Sequence, residues 1–187
     1  PLNKSAWFNL SYVGGGKVGE QSYSAKDCLL KSLELDPLHA DTWCNLGLMG
    51  GGKVGERVYQ KRDCYLRAVE IDPRDAAAWS NLGRVGGGKV GEQSYSAKDC
   101  LLKSLELDPL SADAWCALGT TGGGQVGEKI YGTKDCYLRA LELDPSNADI
   151  WFKLSSLGGG EVGGETYSKQ RCLQTGLQLD PSSAAAW

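Results

Sequence analysis

Seven cysteines and one histidine are the residues of this chain best suited to metal or nucleophilic chemistry. Cys28, Cys64, Cys100, Cys136 and Cys172 recur every 36 residues, while Cys44 and Cys116 each follow a tryptophan. A structural zinc site takes four ligands, and Cys28, His39, Cys44 and Cys64 are the obvious set. No CxxC pair is present, and where Cys100 and Cys116 repeat the pattern, Ser111 stands in place of His39. No metal is therefore expected. A lone histidine without a partnered nucleophile builds no triad, so no catalytic residue, no enzyme activity and no cofactor are expected either. Equivalent positions in stacked helical units lie roughly 10 Å apart, whereas a disulfide needs Cα atoms closer than about 7 Å. The cysteines are expected as buried, reduced thiols, which places the protein in an intracellular, cytoplasmic setting.

The stretch GGGKVGE, met in variant form in each unit, is the other invitation to chemistry, because glycine amides before a helix can cradle an anion. The phosphate loop requires Gly-Lys-Ser/Thr at the helix start, and this chain has no such triplet. Its lysine also changes from Lys17, Lys53 and Lys89 to Gln125 and Glu161. A structural connection is expected there.

The elements that position these residues follow from one period. Prolines 1, 37, 73, 109, 145 and 181 lie 36 apart, as do tryptophans 7, 43, 79, 115, 151 and 187. That spacing marks an array of stacked units rather than one core around a deep site. The chain reads as a single repeat array over 1–187, with units at about 1–36, 37–72, 73–108, 109–144 and 145–180 and the start of a sixth at 181–187. Val13–Leu38 and Val85–Leu110 are identical over 26 residues. Starting and stopping in the same phase, it reads as a cassette cut from a longer array.

In the unit from Pro73, Ala76, Trp79, Leu82 and Gly83 share one helical face. Asn3, Asp75, Ser111, Asn147 and Ser183 stand at the expected N-cap, with His39 in the second unit. The glycine triplet ends this first helix, since each glycine costs about 1 kcal/mol against alanine. Ser96 with Asp99, and Ser24 with Asp27, read as capping boxes opening a second helix. The tyrosine before that cap and the cysteine at its fourth position have the spacing of a hydrophobic staple. Asp63 with Arg67, Asp99 with Lys103 and Asp135 with Arg139 read as i,i+4 pairs. The helix stops at the residue before proline. With 20 basic against 23 acidic residues, the chain lacks the positive footprint of a nucleic-acid binder. It has no apolar run that would span a membrane.

Trp79, Leu82, Gly83, Ala68 and the closing LELDP or VEIDP resemble tetratricopeptide repeats in every unit, and the Gly-rich connection is similar to the loop of Sel1-type repeats. The resemblance implies an all-α, right-handed superhelical solenoid of five antiparallel helix pairs, with the first helices lining the concave side. It places Trp−2, Trp+1, Trp+2 and Trp+5 on that side. Asn9, Asn45 and Asn81, followed by Ala117 and Lys153, hold Trp+2 and resemble the asparagine ladders with which some solenoids hold extended peptides. A carboxamide offers donors and an acceptor and so matches a peptide backbone; the same asparagines could equally satisfy local groups. Phe8, Tyr12, Arg84 and Phe152 would set side-chain preference.

The expected function is a non-catalytic scaffold that binds an extended peptide or partner-protein segment, with no nucleic acid and no membrane as partner. A structural spacer, or an accessory region of a larger enzyme, are the alternatives. A unit covers its apolar faces only with its neighbours. Leu173, Leu177 and Leu179 at one end, and Trp7 and Leu10 at the other, are therefore expected to support head-to-tail self-association, with the stub Ser183–Trp187 ordered by a neighbour.

Overall fold

The computed structural model describes residues 3–183. Pro1 and Trp187, the end rungs of the two ladders, and the rest of the stub at 184–187 lie outside the described residues. The described chain falls into two compact units, one up to Ala97 and one from Lys98.

The first unit contains α1 (Lys4–Tyr12), β1 (Gly15–Val18), β2 (Gln21–Ser24), α2 (Ala25–Leu35), α3 (Ala40–Leu48), β3 (Gly51–Val54), β4 (Arg57–Gln60), α4 (Lys61–Ile71), α5 (Ala76–Arg84), β5 (Gly87–Val90) and β6 (Gln93–Ser96). The second holds α6 (Ala97–Leu107, opening on the boundary residue), α7 (Ala112–Thr120), β7 (Gly124–Val126), β8 (Lys129–Tyr131), α8 (Thr133–Leu143), α9 (Ala148–Ser156), β9 (Gly159–Val162), β10 (Glu165–Ser168) and α10 (Lys169–Leu179). Within the first unit α1 packs on α2 and α3 on α4; within the second α7 packs on α8 and α9 on α10. These are repeated helix pairs, as the period requires.

The expectation of an all-α chain is overturned. Five two-stranded antiparallel sheets interrupt the helices, so the protein is mixed α and β. Each glycine-rich connection is a β-hairpin. Gly55 and Glu56 link β3 to β4 as a two-residue loop with glycine, at φ 61°, in first place, the arrangement that suits the twist of paired strands. In every hairpin the last glycine of the triplet pairs with the tyrosine: Gly16 with Tyr23, Gly52 with Tyr59, Gly88 with Tyr95, Gly124 with Tyr131 and Gly160 with Tyr167.

The tyrosine also has a partner that the staple spacing does not indicate. Its ring lies on the tryptophan of its own repeat, with centroids 4.6–4.8 Å apart in all five. The tryptophan in turn donates its indole N–H to the proline carbonyl six residues earlier, from Trp43 to Pro37 at 2.8 Å and from Trp79 to Pro73 at 2.9 Å. Trp115 to Pro109 and Trp151 to Pro145 repeat the bond in the second unit. One contact set thus explains the tyrosine, tryptophan and proline ladders together. The aspartate before each proline accepts the amide two residues on, as Asp36 does from Leu38 and Asp72 from Arg74, and closes the turn between helices.

The caps follow the sequence closely. Asn3, Asp75 and Ser111 accept from the amides of Ala6, Ala78 and Ala114. His39 and Asn147 hold the N-cap position without such a bond; His39 Nδ1 instead meets the Thr42 hydroxyl at 2.8 Å. Ser24 and Asp27 complete a capping box, and the Ser24 hydroxyl and amide hold the Asp27 carboxyl below its usual pKa. Two of the expected i,i+4 pairs, Asp63 with Arg67 and Asp135 with Arg139, give way to other partners among the described residues. Asp63 and Asp135 accept the Gln60 and Gly132 amides, while Arg67 pairs with Glu70 and Arg139 with Glu142, each at i,i+3.

Candidate functional site

The side chains left free by packing begin on the first helix of each pair. In the first unit these are α1, α3 and α5, and two side-chain contacts join them edge to edge. Asn45 donates to the Tyr12 hydroxyl at 3.2 Å, and Asn81 Nδ2 approaches Cys44 Sγ at 3.5 Å. In both, the Trp+2 residue of one repeat reaches back to the preceding first helix. The asparagines thus spend part of their capacity on neighbours. Each amide keeps its oxygen, and one further N–H, for another group.

Around this row, Asn9 and Arg84 are exposed, Asn45 and Asn81 half-buried, and Tyr12 is 68% exposed. Tyr12 is nevertheless held in place. Its ring meets Phe8 edge-on at 5.1 Å, and Phe8 lies 4.9 Å from the His39 ring. His39 is thus a supporting aromatic on this face, a role its cap position in the sequence does not reveal. Leu48, at the same helical position as Tyr12 and Arg84, is 55% exposed. Arg84 makes no ion pair among the described residues.

In the second unit the candidate residues separate. Lys153 directs its ammonium at Cys116 Sγ, 3.7 Å away. Phe152 is only 6% exposed, and a Cβ built on Gly176 would lie 2.6 Å from its ring. Phe152 therefore fills the space above a glycine of α10 and offers little surface to a ligand.

All seven cysteines are free thiols, six buried and Cys116 half-buried. Burial pushes Cys44 up to about 11, with the Asn81 contact opposing it. Burial also raises Cys116, against the pull of Lys153. Neutral, recessed thiols of this kind are poor nucleophiles. Among the described residues no group of histidine, cysteine and carboxylate side chains could hold a metal ion. No described helix is long and apolar enough to cross a membrane.

Shallow depressions also recur between the second strand and the following helix, as at Arg57, Tyr59, Asp63, Leu66, Arg67 and Glu70. Their charges are largely spent. Arg67 pairs with Glu70, Asp63 takes the Gln60 amide, and Arg57 lies over the Tyr59 ring at 4.8 Å.

Compared with known protein families and with curated proteins, the chain matches no family model and none of those proteins. Its fold defines it as a protein of repeated helix pairs, each pair bridged by a hairpin.

Proposed function

We propose that this chain is a non-catalytic scaffold, built from tetratricopeptide-like repeats with a β-hairpin between the two helices, that binds an extended segment of a partner protein. The face used is that of α1, α3 and α5. The observation that carries the reading is the linked row Tyr12–Asn45 and Cys44–Asn81, which sets carboxamides beside an exposed, braced aromatic ring. Carboxamides suit a peptide backbone whatever its side chains, and the ring supplies apolar contact at low entropic cost. The seven free thiols suit a reducing, intracellular compartment. This reading of function rests on analogy of fold together with that surface.

The test is selection from a random-peptide library followed by affinity measurement. Asn45→Ala and Asn81→Ala are expected to weaken all selected sequences by similar factors, while Tyr12→Ala changes which sequences are selected. A library that yields no binder would leave the chain a spacer. Binders indifferent to all three changes would place recognition elsewhere.

A further inference from the structure

The first helices of the first unit end on three side chains at one helical position, Tyr12, Leu48 and Arg84. All three are exposed. The first two are apolar surface, and Val13 and Met49 beside them are 76% and 45% exposed. The third is a guanidinium without an ion pair among the described residues. A second guanidinium, that of Arg62, donates to the Val85 carbonyl in the next position of the chain, at 2.6 Å from Nη2. The acidic residues of these helices, Asp41 and Asp75, stand at their opposite, N-terminal ends. Up to Ala97 the chain carries 12 basic and 11 acidic residues, so the negative balance lies beyond it.

Side-by-side helices place equivalent positions roughly 10 Å apart. An extended peptide rises about 3.3 Å per residue, so it passes one repeat every three residues or so. Asn45 and Asn81 stand three residues before Leu48 and Arg84 on the same helices, with Asn45 bonded to Tyr12, and can take its backbone. On this basis, and resting on the peptide-binding reading above, we infer that the bound segment is acidic at one end. It carries two bulky apolar residues three apart, over Tyr12 and Leu48, and a carboxylate side chain three residues further on, against Arg84. Charge complementarity selects the acid: a free guanidinium offers paired donors that a carboxylate fills in bidentate fashion.

Two fluorescein-labelled heptapeptides test this, Leu-Ser-Ser-Leu-Ser-Ser-Glu and its reverse, each beside a version with lysine in place of glutamate. All four are titrated into the whole chain by fluorescence anisotropy. One of the glutamate peptides should bind at least about tenfold more tightly than its lysine counterpart, and Arg84→Ala should abolish that difference. Tyr12→Ala should weaken both members of the pair about equally. Both variants change exposed positions, and circular dichroism of each checks that it is folded. Glutamate and lysine peptides binding alike, a preference that survives Arg84→Ala, or no binding by any of the four overturns the acidic assignment. Peptides from the random library would still bind in those cases. If they too fail to bind, the peptide-binding reading itself is lost.

Discussion

Gly47 and Tyr65 share one volume between α3 and α4. A Cβ at Gly47 would lie 2.5 Å from Tyr65 Cε1, so the large ring is admitted only because the opposite position lacks a side chain. Phe152 over Gly176, at a different pair of positions, puts the bulk on the first helix of its pair, while Gly119 and Tyr137 repeat the Gly47–Tyr65 exchange. In the first repeat the same two positions hold Ser11 and Leu29. Gly47→Ser alone is therefore expected to cost about 1–3 kcal/mol through overpacking. Adding Tyr65→Leu should recover much of that loss, because the pair then matches one the chain already contains. Urea denaturation of both single variants and the double variant measures the coupling; additive losses would contradict the shared volume. Trp43, 2% exposed and bonded to Pro37, has no such compensation nearby, and Trp43→Ala should cost about 3–5 kcal/mol. The candidate site was legible to the same degree as this packing. The resemblance to tetratricopeptide repeats implied that Asn45, Tyr12 and Arg84 share the free face of their helices. It could not distinguish Phe8, half-buried beside His39, from Phe152 lying over Gly176, because that difference depends on what stands opposite in another helix.

The hairpins mark where local reading reached its limit. A triplet of glycines looks only like a helix stop, since glycine is depleted in strands and GGKV carries one strand-forming side chain. What makes it a strand is its partner: Tyr59 lies opposite Gly52 in the ladder and packs its ring on Trp43. The remaining signal is the two-residue Gly-Glu loop between Val54 and Arg57, a hairpin signature set among residues that do not alternate. The helices, by contrast, were legible because caps, stops and a 3.6-residue face agree with one another. The glycines of a triplet are also unequal. Gly50, at φ 86°, has no atom near a built Cβ, while at Gly51 a Cβ would collide with the Tyr59 carbonyl oxygen. Gly50→Ala should thus cost about 1–2 kcal/mol, the penalty of left-handed geometry alone. Gly51→Ala should cost more and remove the hairpin, seen as loss of amide protection at Tyr59 in hydrogen exchange. Equal costs at the two positions would refute the pairing. Lys53, exposed on the strand between, should tolerate alanine within about 0.5 kcal/mol.

Across the molecule, one titration behaviour is shared by the whole array. Burial holds the thiols of Cys44, Cys100 and Cys136 at about 11 and that of Cys64 at about 12, and raises those of Cys28, Cys116 and Cys172 as well. An unfolded thiol ionises near about 8.5. Because the folded state keeps its thiol protons more tightly, their contribution to stability is complete below that value. It declines as pH rises past it, and the decline continues up to the folded values, where the buried groups themselves ionise. Tyr65, pushed up to about 12 by the same burial, adds a second decline that begins only near about 10, where an unfolded phenol ionises. The sign is therefore fixed for both kinds of group. Stability should be level between pH 6 and 8 with respect to them and fall through the alkaline range in two stages. Urea midpoints measured in reducing buffer from pH 7 to 11 would show this. Cys64→Ala should start from a lower midpoint, having lost buried volume, yet decline less steeply above pH 8.5 because one proton-holding group is gone. A midpoint independent of pH up to 11, or an unchanged slope in that variant, would mean that the thiols are open to water and that the repeats do not close over them.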